Sequence, residues 1–81
     1  MTGEEKVRAW ALLKSMSYDE MNDEEMNLVV EYETEGFKPK IDKLKAKGWS
    51  VRKIENKIHE WWLDYRMADG TEDELIAYAN Q

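Results

Sequence analysis

Apolar side chains return along this chain at steps of three and four residues, the spacing that lines one face of a helix. The clearest run is Val51, Ile54, Ile58, Trp61 and Tyr65, which predicts a long amphipathic helix behind a capping Ser50. Nearer the start, Val7, Trp10, Leu13 and Met16 predict a helix over about 4–16 and put Trp10 in the core. Thr2 and Glu5 open it as the reciprocal pair of a capping box, and Ser17 with Glu20 and Asn22 with Glu25 repeat that signature. Behind the last pair come Met26, Val29, Val30 and Tyr32, with Gly36 as the expected stop. Residues 28–34 also carry a strand pattern, because Val30, Tyr32 and Thr34 alternate with glutamates; no second strand is evident to pair with them, which favours helix. Lys38-Pro39 is expected to open the next helix, since proline in a first turn forfeits no hydrogen bond. Ile41 and Leu44 then share a face and Gly48 ends it. Asp69-Gly70 is the expected break after the long helix, with Thr71 and Glu74 capping a short last one that carries Leu75, Ile76 and Tyr78. The pattern gives four or five helices and short turns in one domain over residues 1–81.

Charge changes the picture more than composition does. Of the 12 basic residues, eight fall within residues 38–57: Lys38, Lys40, Lys43, Lys45, Lys47, Arg52, Lys53 and Lys57. That segment is +6, the 37 residues before it are −7 and the 24 after it are −5, which gives the net charge of −6. Such segregation implies one basic and one acidic surface with different electrostatic partners. Cysteine is absent, which excludes a disulfide framework and thiolate metal sites. No signal-peptide core is visible in the first twenty residues, and no apolar run nears the roughly 18 residues of a membrane span. A soluble, cytoplasmic protein with no membrane partner is the expectation.

Within residues 41–58, IDKLKAKGWSVRKIENKI, six positions form a known pattern. Ile41 and Leu44 lie seven and four residues before Gly48, Ser50 lies two after it, and Ile54 and Ile58 six and ten after it. This segment resembles the helix-turn-helix of homeodomain-like and resolvase-type DNA-binding domains. Gly48 allows the left-handed turn, Trp49 plugs the corner and Ser50 caps the second helix. The resemblance implies an all-α fold, a small bundle of four or five helices with a central helix-turn-helix-like pair. It also implies that the second helix lies in the major groove of double-stranded DNA, the leading partner. Arg52 and Asn56 would then face base edges, while Lys53 and Lys57, with Lys45, Lys47 and Ser50 near the turn, would meet the backbone. The function implied is that of a small DNA-binding accessory or transcription-regulatory protein, with a homodimer as a compatible assembly. The match covers about 20 residues, and the apolar pattern continues past it through Trp61, Trp62 and Tyr65. A sequence pI of 4.8 is also unlike that of most DNA-binding domains.

A second reading rests on the other surface. Asp23, Glu24, Glu31 and Glu35 belong to acidic clusters, part of which serve helix N-termini through the macrodipole. Trp61 fits the long apolar stripe, which leaves its neighbour Trp62 as the candidate aromatic anchor for a partner. Together these residues suit an acidic inhibitor or adaptor, with the charge spacing of a nucleic-acid mimic, acting on a basic protein partner. Catalysis finds no support: there is one histidine, no phosphate loop and no nucleophile–base spacing. His59 with Glu55 would make at most half of a metal site, and neither a metal nor a cofactor is expected.

Overall fold

The computed structural model describes all 81 residues, and its only regular elements are helices. Four α-helices, α1 (Gly3–Ser15), α2 (Asp23–Ala46), α3 (Val51–Tyr65) and α4 (Asp69–Ala79), are joined by short turns, with a 3-10 turn at Tyr18–Glu20 between α1 and α2. Residues 28–34 are helix, inside α2. No helix is long and apolar enough to cross a membrane.

The N-termini of α1 and α2 form as the capping signatures specify. Thr2 Oγ1 accepts from Glu5 N at 3.1 Å, and Glu5 Oε1 accepts from Thr2 N at 2.9 Å. Asn22 and Glu25 make the same exchange at 2.8 and 3.0 Å. Around the 3-10 turn Glu20 Oε1 accepts from Ser17 N at 3.3 Å and from the Ser17 hydroxyl at 2.9 Å, while Glu20 N donates to Ser17 O at 3.1 Å. Hydrogen bonds to these carboxylates hold Glu5 and Glu20 below the usual glutamate range, the first by its bond from the Thr2 amide and the second chiefly by its bond from the Ser17 hydroxyl.

Two local signals are overridden. Gly36 does not end a helix and Pro39 does not begin one; both lie inside α2, which runs unbroken for 24 residues. Gly36 and Pro39 disfavour helix by about 1 and 3 kcal/mol, and Pro39 leaves the Glu35 carbonyl without its amide donor. Continuing the helix delivers Phe37, Ile41 and Leu44 to the main core. Ile41 is fully buried there, worth about 1.5–3 kcal/mol by itself. At 1.5 Å per residue α2 is about 36 Å long, close to the molecule's longest extent of 37 Å.

That core lies at the C-terminal end of α2. Ile41 from α2, Ile54, Ile58 and Trp61 from α3, Met67 from the following turn, and Leu75 and Ala79 from α4 form one buried cluster. Phe37 reaches across to α3, with its ring 5.3 Å from Trp61 and 5.9 Å from Tyr65. α4 packs against both α2 and α3, more extensively than those two pack on each other. Its approach to α2 is close at Gly70, where a Cβ would stand 3.1 Å from Val30 Cγ2. α1 covers the other end of α2, and Ala9 is its only fully buried residue. Trp10, expected in the core, is 51% exposed, because α1 presents Ala9 rather than Trp10 to α2.

The break between α3 and α4 falls earlier than Asp69-Gly70. Arg66 adopts the left-handed conformation (φ 53°, ψ 46°) that stops α3, and Asp69 already belongs to α4. Thr71 caps nothing. It is fully buried inside α4, and its hydroxyl donates to Glu33 Oε1 at 2.7 Å. The same oxygen accepts from Ala68 N at 3.2 Å, and Glu33 Oε2 accepts from the Tyr18 hydroxyl at 2.6 Å. One carboxylate on α2 therefore ties the 3-10 turn to the start of α4. Partial burial, and then the bond to Glu33, push the Tyr18 phenol well above its ordinary range.

Candidate nucleic-acid interface

The α2–α3 connection is built by main-chain hydrogen bonds around one glycine. Trp49 N donates to Leu44 O at 3.1 Å and Gly48 N to Lys45 O at 3.0 Å, the paired bonds of a Schellman motif. Gly48 sits at φ +85°, where a side chain would be strained. Leu44 and Trp49, the two residues whose contact commonly accompanies this motif, are both half-buried against the core. Ser50 then caps α3, its Oγ accepting from Lys53 N at 3.2 Å. Behind the turn Ile41, Ile54 and Ile58 are fully buried.

Facing outward from this frame are Lys43, Lys47, Ser50, Arg52, Lys53 and Asn56, all exposed. None of the four bases among them lies within ion-pair distance of a carboxylate. Lys53 extends over the Trp49 ring with Nζ 4.3 Å from its centroid, so the turn's aromatic residue helps fix one of its cations. The first turn of α3 is electrostatically unlike the others. α1 opens with Glu4 and Glu5, α2 with Asp23, Glu24 and Glu25, and α4 with Asp69 and Glu72, whereas α3 opens with Arg52 and Lys53. Cations at a helix N-terminus oppose the macrodipole, and an anion there would be favoured by dipole and side chains together. The segment's two acids are held elsewhere: Asp42 accepts from the Tyr78 hydroxyl at 2.7 Å and Glu55 from Asn80 Nδ2 at 3.1 Å. The first of these bonds raises the Tyr78 phenol above its usual range.

Two of the expected DNA-contacting residues are otherwise engaged. Lys45 turns toward the end of α4, with Nζ 3.4 Å from Tyr78 O and 3.3 Å from Gln81 O, where it serves main-chain oxygens the helix cannot satisfy itself. Lys57 is half-buried and pairs with Glu60 at 3.4 Å. The structure thus gathers Lys47, Ser50, Arg52, Lys53 and Asn56 at the turn, with Lys43 as an addition, and sets Lys45 and Lys57 apart.

The acidic residues do not gather around Trp62. Asp23, Glu24, Glu31 and Glu35 are spread along α2, while Trp62 lies on α3. Glu24 pairs with Arg8 at 3.7 Å, and Glu35 lies 3.5 Å from the Met1 amino group. Asp23 and Glu31 are exposed and unpaired. Trp62 is half-buried, stacks on His59 with centroids 5.5 Å apart, and donates its indole N–H to Asp69 at 2.9 Å. Its polar edge is already satisfied. Glu33 belongs to the acidic run with Glu31 and Glu35 but differs from them in position: Val30, Glu33, Phe37 and Ile41 step by 3, 4 and 4, so a lone acid interrupts a core-facing stripe. A charge in that position calls for buried donors.

No protein-family model, curated protein or solved structure matches the chain.

Proposed function

We propose that the protein binds double-stranded DNA through the α2–α3 turn, as a small accessory or regulatory protein. The observation that carries this reading is the set of exposed, unpaired cations around the N-terminus of α3: Lys43, Lys47, Arg52 and Lys53, in a chain with 18 acidic residues. A chain optimising only its own stability would pair those cations or place acids in that first turn, as it does in its other three α-helices. In this reading Lys43, Lys47 and Lys53 meet phosphates, together with the hydroxyl proton that Ser50 retains while its oxygen caps the helix. Arg52 and Asn56, four residues apart on one face, are set to reach base edges, the first suited to guanine and the second to adenine. Asp23, Glu24 and Glu25, at the far end of α2, lie about 30 Å from Lys43, beyond the reach of their field at physiological salt.

The test is fluorescence anisotropy of mixed-sequence duplex DNA titrated with the protein at about 50 and 200 mM salt. Three or four phosphate contacts predict a loss of affinity of roughly 40- to 150-fold between those concentrations. Arg52→Ala with Lys53→Ala abolishes binding at the lower salt, while Lys45→Ala leaves it within about twofold. If the intact protein does not bind at about 50 mM salt the proposal fails, and a basic protein partner for the acidic surface is the reading to pursue.

A further inference from the structure

Two apolar surfaces remain uncovered on this molecule, and they are complementary. The first is the outer face of α1. Its inner face carries Ala9, but Val7 and Trp10, three residues apart and so on one face, are 67% and 51% exposed. Lys14, a turn further on, places Nζ 4.1 Å from the Trp10 ring centroid. Lys6 and Lys14 have no acidic partner. α1 therefore presents a protruding aromatic ring with unpaired cations beside it.

The second surface is at the C-terminal end of α3. Leu63 projects from the helix face opposite Ile54, Ile58 and Trp61 and is 59% exposed. Beside it is an open cleft of about 290 Å³ lined by Tyr18, Trp62, Leu63, Arg66, Met67 and Asp69. Ligand pockets start near 300 Å³, so this cleft suits a single large side chain better than a whole small molecule. Asp64 stands next to Leu63, exposed and unpaired, and residues 58–81 carry a charge of −5.

We infer that the protein self-associates by seating Trp10 of one copy in the cleft beside Leu63 of a second copy. Charge selects this pairing over the alternatives. Joining two α1 faces would bring Lys6 and Lys14 of both copies together, and joining two α3 ends would bring together Asp64 and Asp69 of both copies, with one Arg66 in each to offset them in part. Setting α1 against the α3 end buries Val7 and Trp10 on Leu63 and brings lysines to aspartates. The area available is that of a small, transient interface, below about 1,200 Å². Each copy carries both halves, so the contact can be made twice in a two-fold pair or repeat along an open chain. The surface shares no residue with the α2–α3 turn, so the inference does not depend on DNA binding and is tested without DNA.

Sedimentation equilibrium of the full chain at low salt, from about 10 µM to about 1 mM, reads the association directly. The weight-average mass of the wild type rises with concentration across this range. Trp10→Ala and Leu63→Glu each abolish the rise with the helical circular dichroism unchanged. Lys14→Glu and Asp64→Lys each weaken association about threefold or more, and the double variant recovers most of the loss. A wild type that stays monomeric up to the highest concentration overturns the inference. So does an association that Trp10→Ala leaves intact, or a double charge variant no better than the single ones.

Discussion

The two ends of α2 are built on different principles. At its C-terminal end Ile41 joins Ile54, Ile58, Trp61, Met67, Leu75 and Ala79 in one buried cluster drawn from three helices and a turn. At its N-terminal end Ala9 and Val29 are fully buried but lie outside that cluster, Leu12, Leu13 and Leu28 are only half-buried, and the Tyr18–Glu33 bond is exchanged in part with water. Apolar burial gains free energy in proportion to area, whereas an exposed hydrogen bond exchanged with water gains little. The same helix is therefore firmly anchored at one end and lightly covered at the other. Stability in a domain of this size is local in character, with α1 the element most easily released.

The sharpest way to break the comparison is Ile58→Ala in the main cluster. Removing that buried side chain should cost about 3 kcal/mol, a large part of what a domain this small can hold, and chemical denaturation should show it as a globally shifted midpoint. Trp10→Ala, at the other end, should change the stability by less than about 0.5 kcal/mol. Glu33→Gln addresses the boundary between the ends. The amide offers one acceptor in place of two and adds a donor, so the Tyr18, Ala68 and Thr71 groups cannot all be satisfied. A loss of about 2 kcal/mol is expected, accompanied by faster hydrogen exchange around residues 18–20 and 67–71. Thr2→Ala should cost about 1 kcal/mol and show itself as faster exchange confined to α1.

The smallest effect is on pH dependence. Tyr18 has a raised pKa when folded, so its contribution is fully present below the unfolded value near 10 and is lost as pH rises toward the folded one. Denaturation midpoints should be flat from neutral pH to about pH 9 and fall above about pH 10. Tyr18→Phe should reduce the fall, and an absorbance titration of tyrosinate should show Tyr18 and Tyr78 ionising later than a free tyrosine.

What could be read in the sequence divides along a physical line. Thr2–Glu5 and Thr71–Glu74 carry the same T-x-x-E spacing, and only the first is a capping box. The first pair meets no competing partner, while the Thr71 hydroxyl is taken by Glu33, 38 residues away. Gly48 and Ser50 act as their local chemistry specifies, because main-chain bonds within five residues define that turn. Gly36 and Pro39 carry stop and start signals too, and lose to the joint burial of Phe37, Ile41 and Leu44. At the candidate interface, the exposure of Arg52, Lys53 and Asn56 follows from their place off the apolar stripe of α3. The engagement of Lys45 with the end of α4 does not follow from spacing, since its partners lie 33 and 36 residues further along the chain.

The unbroken course of α2 also bears on the order in which the molecule assembles. Its ties to α4, through Glu33, Asp42 and Lys45, each span 33 to 38 residues, whereas α3 and α4 are neighbours joined by a three-residue turn. Closing a longer loop costs more entropy, so the α3–α4 hairpin is the cheaper nucleus and α2 the template on which it docks. α1, with little apolar area to gain, joins last. In stopped-flow measurements the Thr2→Ala variant should accordingly refold at the wild-type rate and show its whole deficit as faster unfolding.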